Sequence, residues 1–311
     1  MSTSMRDAFA EALARAAAID PTIVVLDGDV ANSTKTDRFH QALPRQFVHA
    51  GIAEQNMVGV AAGLASVGFR PFVTTFAVFA TSRAHDQVRM VVAQTGLNVK
   101  IVGAYSGLLT GKTGKTHICV DDLAIFRAMP GMTVYAPADN EELSQVIAYL
   151  SRNEEPAYLR VARDEAPPVV PDGYLFDPER AVRLAEGREV TVVSTGAQTG
   201  RCLEAVRVLR AEGMDVGLVH VPVLKPLPAA HLLEELRGSR LVVTVEEHNV
   251  IGGLGGAVAE LLAEQDARPR LHRVGIQDVY GESGPNDALL EKYGLSAARV
   301  AERVRAAAAR A

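Results

Sequence analysis

The sequence is poor in cysteine, the residue that cross-links small secreted proteins, and it lacks long apolar runs. Its 311 residues include no tryptophan and only two cysteines, Cys119 and Cys202. Two cysteines so far apart do not make a disulfide framework or a zinc site, and they favour a reducing, cytoplasmic compartment. The longest apolar stretch, residues 57–69, is shorter than the roughly 20 residues that a membrane span needs. A membrane protein is therefore not expected.

Charge and composition exclude further classes. The formal net charge is −5, whereas a general nucleic-acid binder normally carries a basic surplus. Residues 1–20 carry acids and follow an amphipathic helical pattern, which argues against a secretory signal. Because 48% of the residues are hydrophobic, most of the chain is expected to be ordered, and its length favours two domains.

Helix and strand signals alternate along the chain. Short β-branched runs such as residues 22–26 and 70–76 alternate with helical patterns such as 82–95. This order predicts an α/β fold with a parallel sheet covered by helices on both faces.

A proline-containing stretch interrupts this alternation over residues 167–178. We interpret it as a linker between a first open α/β domain, residues 1–166, and a smaller one, residues 179–311. In open parallel sheets, ligands bind beyond the carboxyl ends of the strands. The polar clusters at such positions in the first domain are residues 27–36, 49–56, 105–117 and the region around Arg163.

The order and spacing of these clusters resemble the thiamine-diphosphate enzymes of the transketolase group. The segment GIAEQN at 51–56 resembles the group's Gly-Ile-x-Glu-x motif. Other similar segments are DGDVANSTKT at 27–36, TFAVF at 75–79, GKTGKTH at 111–117, YLRVAR at 158–163 and VEEHN at 245–249. The Gly-Asp-Gly…Asn metal motif of a full-length enzyme is missing. The chain is thus similar to the C-terminal half of a split transketolase, a pyrimidine-binding domain followed by a C-terminal domain.

This resemblance implies a subunit that moves a two-carbon ketol unit between a ketose and an aldose. The implied cofactor is thiamine diphosphate, with Mg²⁺ or Ca²⁺ bound by the partner subunit. The implied partner is an N-terminal-half subunit in an α2β2 heterotetramer, and the chain alone is expected to be inactive. A β subunit of a 2-oxoacid dehydrogenase, a deoxyxylulose-phosphate-type synthase and a non-catalytic assembly subunit remain alternatives.

The resemblance implies four residues at the cofactor. It assigns Glu54 to N1′ of the aminopyrimidine, where a buried carboxyl group favours the imino tautomer, and Asp29 to a position nearby. It assigns Phe76 and Phe79 to rings that sandwich the pyrimidine. The residues alone also fit blander roles, since an acid is favoured at any helix N-terminus and phenylalanines mostly pack in cores.

Five residues are expected at the substrate. The resemblance implies that Ser33 and Arg163 bind a phosphate and that His117 contacts a substrate oxygen where charge develops. A polar turn at Ser33, a structural loop histidine and a local ion pair of Arg163 remain alternatives. Lys112 and Lys115 add positive charge to the same loop as His117 and favour an anionic substrate.

Two positions depart from the transketolase pattern. Thr113 stands where the group has an acid that contacts a donor hydroxyl, and Tyr105 stands where it has a histidine near the sugar phosphate. An anionic sugar, phosphorylated or sulfonated, is expected, and the standard pentose phosphate and a different donor or acceptor both remain open.

Three further features receive no catalytic role. Arg160 is expected to point away from Arg163, into a surface or interface ion pair. Residues 246–249, EEHN, contain three possible ligands, but alternate strand residues point in opposite directions, so we assign no metal site to this chain. The glycine run 252–256 resembles a phosphate loop only weakly and is interpreted as a packing and dimer element.

Overall fold

The computed structural model describes residues 4–311. The strands are β1 (Ile23–Asp27), β2 (Phe47–His49), β3 (Arg70–Phe76), β4 (Lys100–Ala104), β5 (Thr133–Tyr135), β6 (Ala157–Val161), β7 (Val182–Ala185), β8 (Val190–Ser194), β9 (Val216–His220), β10 (Val223–Lys225), β11 (Leu241–Asn249) and β12 (Arg270–Ile276).

The α-helices are α1 (Met5–Ile19), α2 (Ala31–Thr34), α3 (Thr36–Ala42), α4 (Glu54–Ser66), α5 (Ala77–Thr81), α6 (His85–Gln87), α7 (Asp122–Ala128), α8 (Asn140–Leu150), α9 (Gln198–Ala211), α10 (Ala229–Glu235), α11 (Leu254–Ala263), α12 (Asn286–Tyr293) and α13 (Ala297–Ala308). A π-helix follows α6 at Val88–Ala93, and 3₁₀ turns lie at Pro44–Gln46 and Gly111–Thr113. Within the described residues, no helix is long and apolar enough to cross a membrane.

Two sheets organise the chain. The first has seven strands in the order β10-β5-β6-β4-β3-β1-β2, and the second has five in the order β12-β11-β8-β9-β7. All neighbouring strands are parallel except β10, which runs antiparallel to β5, and β7, which runs antiparallel to β9. The α/β prediction with a parallel sheet is therefore confirmed.

The first sheet is buried on both faces. Alternate residues of β1 face two separate cores: Val25 packs in the core that contains Phe9 of α1, and Leu26 packs in the core that contains Met57 of α4. Since both faces are covered, all five residues of β1 are buried, which explains the uninterrupted apolar run of this strand.

Two element predictions are wrong. The helix predicted over 82–95 begins only at His85, because the chain turns after α5 and the amide of Ala84 donates to the carbonyl of Phe79, and it continues from α6 as a π-helix rather than an α-helix. The strand predicted over 240–245 continues to Asn249, because Asn249 pairs with Ile276 of β12 beyond an irregularity in the register.

One strand of the first sheet was not predicted at all. Strand β10 belongs to the second half of the chain, yet it completes the first sheet by pairing Val223 with Tyr135. Three residues are too few to show a strand period in the sequence.

Arg160 contradicts the expectation of a surface or interface ion pair. Only 7% of its surface is exposed, and its Nε donates to Asp122 Oδ2 at 2.9 Å. Its Nη2 donates to the carbonyl of Glu247 at 2.9 Å, and Tyr158 donates its hydroxyl to the same Asp122 oxygen at 2.7 Å. The reason is that both faces of β6 are covered, since all five of its residues are buried and Arg160 lies against β11. Arg160 therefore connects the first sheet to β11 of the second.

Replacing Arg160 should destabilise the protein strongly. Arg160→Met leaves the fully buried Asp122 carboxylate without its cation, and breaking a buried pair in this way costs about 3–5 kcal/mol. Urea unfolding followed by circular dichroism measures the loss. Arg152→Met is the matched control, since Arg152 is exposed and should change the free energy of unfolding by no more than about 0.5 kcal/mol. Equal, small losses in both variants would contradict a structural role for the buried pair.

Candidate active site

The register of the first sheet places the candidate residues at one edge. Asp27 at the end of β1 pairs with His49 of β2 and Thr74 of β3, and Ala104 of β4 pairs with Val161 of β6. The carboxyl ends of five neighbouring parallel strands thus lie side by side. The ends of these strands and the loops and helices that follow them carry every residue that the resemblance assigned to the cofactor or the substrate.

Backbone strain concentrates at this edge. Among the described residues, four non-glycine residues have positive φ, and three of them lie here: Asp29 (64°), Lys35 (67°) and Tyr105 (59°). Such conformations are costly and often mark functional sites. The buried Asp27 carboxylate anchors the first loop, because it accepts from the Val30 amide at 2.8 Å and from Thr36 Oγ1 at 2.9 Å.

Glu54 is the first residue of α4 and is only 1% exposed. Its carboxylate accepts from Nη1 of Arg83 at 3.0 Å and 2.8 Å, one contact to each oxygen. Gly28 lies against it, since a Cβ added there would sit 3.7 Å from Glu54 Cγ and 3.5 Å from Thr75 Oγ1. Thr75 Oγ1 is buried and has no hydrogen-bond partner within residues 4–311. The side chain of buried Glu54 and an unsatisfied hydroxyl therefore both lie against Gly28.

Four aromatic rings form a cluster at the same edge of the sheet. The Phe76 ring stacks on Tyr105 at 4.4 Å between centroids and on Phe79 at 5.8 Å. The His117 ring lies edge-on to Phe76 at 5.8 Å and to Phe79 at 5.6 Å. A ring between Phe76 and Phe79 would need two contacts of about 3.5 Å each. The two phenylalanines are thus too close to sandwich a third ring. Because Phe76 also stacks on Tyr105, the outer face of Phe79 is the one left for a ligand ring.

His117 lies at the end of the loop that begins with Tyr105. Its Nδ1 pairs with Thr116 Oγ1 at 2.8 Å, and its ring is partly buried against the phenylalanines. The Nε2 atom is therefore the ring nitrogen left for a ligand.

Two guanidinium groups flank Tyr105. Arg163 Cζ lies 5.4 Å from the centre of the Tyr105 ring, and Arg6 Cζ lies 5.3 Å from it. Arg6 Nη1 donates to Tyr105 Oη at 3.0 Å and to the Ser33 carbonyl at 2.6 Å, and Arg6 Nε donates to the Arg163 carbonyl at 2.6 Å. Arg163 also pairs with Asp164 at 2.9 Å. Although burial alone would lower the pKa of Arg163, its contacts with Tyr105 and Asp164 raise it.

Sequence reasoning missed Arg6. It lies on the first turn of α1, far from any recognised segment, and only its contacts with Ser33, Tyr105 and Arg163 place it at the site. The one available signal is its position at the start of a helix that packs beside the loop after β1.

The two lysines of the loop between Tyr105 and His117 have exposed side chains. They are Lys112 and Lys115. The loop backbone is held from the other side, where Ser283 Oγ donates to the Lys112 carbonyl at 2.9 Å. Thr113, which replaces the acid of the transketolase pattern, bonds through its hydroxyl to Thr110. The structure thus fixes the loop but does not bring the lysine side chains into contact with Arg163 or His117.

The acidic segment 246–249 and the glycine run 252–256 take part in hydrogen bonds that hold the fold. Glu246 accepts from the amides of Leu254 at 2.6 Å and Gly255 at 2.8 Å, so it caps α11 and takes the donors that a phosphate would need. Glu247 points the other way and accepts from the Leu108 amide at 2.6 Å. Within residues 4–311, no group of three or more His, Cys, Asp or Glu side chains is placed to hold a metal ion.

Comparisons with known proteins identify the family. The model of the transketolase pyrimidine-binding domain matches residues 1–168, and that of the transketolase C-terminal domain matches residues 179–300. The chain belongs to the transketolase family.

Three relatives show which form of transketolase it resembles. It is 38% identical to a putative transketolase C-terminal section of Methanocaldococcus jannaschii, over 96% of this chain and 95% of that protein. It is 39% identical to a 6-deoxy-6-sulfo-D-fructose transketolase subunit of a Clostridium species, over 95% and 92%. A solved split-gene transketolase, described as an inactive β4 tetramer, superposes with a TM-score of 0.91 at 43% identity over 99% of both chains. The chain is thus a split transketolase-family subunit.

Membership of the transketolase family implies dependence on thiamine diphosphate. The described residues fit the aminopyrimidine end of that cofactor. They offer a buried carboxylate at Glu54, an unsatisfied hydroxyl at Thr75 and the aromatic faces of Phe76 and Phe79.

Proposed function

We propose that this chain is the pyrimidine-binding subunit of a two-subunit transketolase, which transfers a two-carbon ketol unit between anionic sugars. The observation that carries this proposal is the arrangement along one sheet edge. Buried Glu54 and the phenylalanine faces lie at one end, and the paired guanidiniums of Arg6 and Arg163 lie at the other, with Tyr105 between them.

Glu54 is proposed to orient the cofactor. Thiamine diphosphate, when bound, supplies the carbon nucleophile and electron sink for cleaving the bond beside a ketose carbonyl. The Glu54 carboxyl would hold the aminopyrimidine N1′ and share a proton there, with Thr75 Oγ1 nearby. The ring would stack on the outer face of Phe79, which Phe76 supports from its other side, and Asp29 in its strained loop would face it.

His117 is proposed to act on the substrate oxygen. Since its Nδ1 is engaged by Thr116, Nε2 would donate to the oxygen that gains negative charge when the carbonyl is attacked.

The opposite end is proposed to bind the anionic group of the sugar. A guanidinium binds a tetrahedral oxyanion through two parallel donors, and Arg163 places such a group beside Tyr105. Arg6 adds a second positive charge there, while its Nε and Nη1 hold the Arg163 and Ser33 carbonyls and the Tyr105 hydroxyl. Ser33 adds a hydroxyl from the first loop, and Lys112 and Lys115 add positive charge at the rim. Because one relative acts on a sulfonated sugar and Tyr105 and Thr113 depart from the family pattern, a sulfonate is as suitable here as a phosphate.

The remaining half of the site is assigned to a partner. We propose an N-terminal-half subunit that binds the diphosphate and its Mg²⁺ or Ca²⁺, in an α2β2 assembly. The similarity over nearly the full length of separate subunits supports this division.

Glu54→Gln should nearly abolish ketol transfer by the reconstituted complex. Removing a group that controls proton position lowers kcat by roughly 10²- to 10⁴-fold. Assays of ketol transfer from an anionic ketose donor measure the loss in kcat, and sedimentation checks that the complex still assembles. Glu141→Gln, an exposed acid in the first turn of α8, is the matched control and should leave kcat unchanged. Normal turnover by Glu54→Gln would remove Glu54 from the mechanism.

Arg163→Ala and Arg6→Ala should each raise KM for anionic sugars far more than they lower kcat. The anionic group lies away from the reacting bond, so its contacts are largely uniform between ground and transition states. A charge-assisted contact contributes about 1.5–3 kcal/mol, or roughly 10- to 150-fold in kcat/KM. Arg163→Lys should restore only part of this, because a point charge lacks the planar fork.

The control for these variants is the substrate itself. Uncharged sugar analogues should be almost unaffected by either substitution, and Arg45→Ala, an exposed arginine, should behave like wild type with both substrates. If charged and uncharged sugars suffer equally, both arginines are structural.

A further inference from the structure

Arg83 occupies the features that a bound aminopyrimidine would use. Its Nη1 donates to both oxygens of Glu54, at 2.8 Å and 3.0 Å. Its Cζ lies 4.6 Å from the centre of the Phe79 ring, within the range of a cation–π contact. One planar cationic group thus binds the buried carboxylate and covers an aromatic face at the same time.

A guanidinium and an aminopyrimidine offer similar chemistry to this site. Both are planar groups with N–H donors. Both can pair edge-on with a carboxyl group, and both stack on aromatic rings. They cannot occupy the Glu54 carboxylate and the Phe79 face together. We propose that Arg83 is an internal occupant of the aminopyrimidine site, which the ligand ring must displace before it reaches Glu54. This inference rests on the proposed function.

The side chains of Arg83 and Glu54 differ in their freedom to move. The Arg83 side chain is 45% exposed and lies in the turn between α5 and α6, and Glu54 is its one hydrogen-bonding partner among the described residues. Glu54, by contrast, is 1% exposed, and its backbone is fixed in the first turn of α4. Displacement therefore moves Arg83 out into solvent and leaves the carboxylate in place.

This contact lowers the apparent affinity of the site for a ring. When the binding-competent state is only a fraction of the population, the observed affinity falls by that fraction. A charge-assisted bond to a half-exposed arginine is partly screened by solvent, so removing it should strengthen ring binding by roughly five- to thirty-fold.

The test uses the full chain and a neutral probe, 4-amino-5-hydroxymethyl-2-methylpyrimidine. A neutral ring avoids the general attraction that any lost arginine would create for a cation such as thiamine. Ligand-observed NMR titration measures its dissociation constant with wild type, Arg83→Ala and Arg83→Lys. We expect Arg83→Ala to bind five- to thirty-fold more tightly than wild type, and Arg83→Lys to fall between them, because lysine keeps the charge without the planar group.

Two further variants separate displacement from other effects. Arg89→Ala removes an equally charged, exposed arginine six residues later that contacts no carboxylate, and should leave affinity unchanged. In the Glu54→Gln background, adding Arg83→Ala should gain much less than in wild type, because the ion pair is already gone.

Equal or weaker binding by Arg83→Ala, or no detectable binding by any variant, would overturn the inference. Ketol transfer by the wild-type complex is scored separately. An active complex without the Arg83→Ala gain refutes only the internal occupant, whereas an inactive complex refutes the proposed function.

Discussion

The parallel register of the first sheet is the constraint on which the site depends. Because β1, β2, β3, β4 and β6 run in the same direction, their carboxyl ends meet at one edge and their connecting loops cross it together. Parallel strands need helical crossovers, and these helices bury both faces of the sheet. The edge is then the one place where this sheet can present polar side chains from many loops to a ligand, and it is held in position by buried charges such as Asp27 and the Asp122–Arg160 pair.

The charges along this edge are unevenly distributed. A buried carboxylate, Glu54, lies at one end, and two guanidiniums, Arg6 and Arg163, surround Tyr105 at the other. The aromatic cluster separates them. Such a layout suits a neutral or basic ring at one end of the site and the anionic group of a second molecule at the other. It also explains why Arg83 can satisfy Glu54 when no ring is bound, since a buried carboxylate without a partner is costly.

Much of this could be predicted from the sequence. Buried strands such as β1 have apolar runs, and polar segments such as Gly51 to Asn56 follow strand ends, so the fold class and the edge that carries these segments could be inferred from local patterns. The assignment of Glu54 and His117 within them came from the family resemblance. The prediction that Arg160 lies in a surface or interface ion pair was wrong for a physical reason. Strand alternation gives the direction of a side chain, but whether that direction leads to solvent depends on the neighbouring strand and sheet.

The roles of Arg6 and Arg83 could not be predicted for a related reason. Both are long side chains that reach the site from helices or turns outside the motif, and their partners lie 27 to 157 residues away in sequence. The contact between Phe76 and Phe79 could not be predicted from the sequence either, because the spacing of the two rings depends on the turn into α5. Local periodicity specifies elements, whereas these contacts depend on how the elements pack.

The central claim is that this chain holds only the ring end and the anionic end of a divided site. Calorimetric titration of thiamine diphosphate with Mg²⁺ into this chain, into its N-terminal-half partner and into their mixture tests it most directly. Much of the binding free energy of this cofactor comes from its charged diphosphate end. We predict weak binding to this chain alone and tight, magnesium-dependent binding only in the mixture. Tight magnesium-dependent binding to this chain by itself would contradict the account.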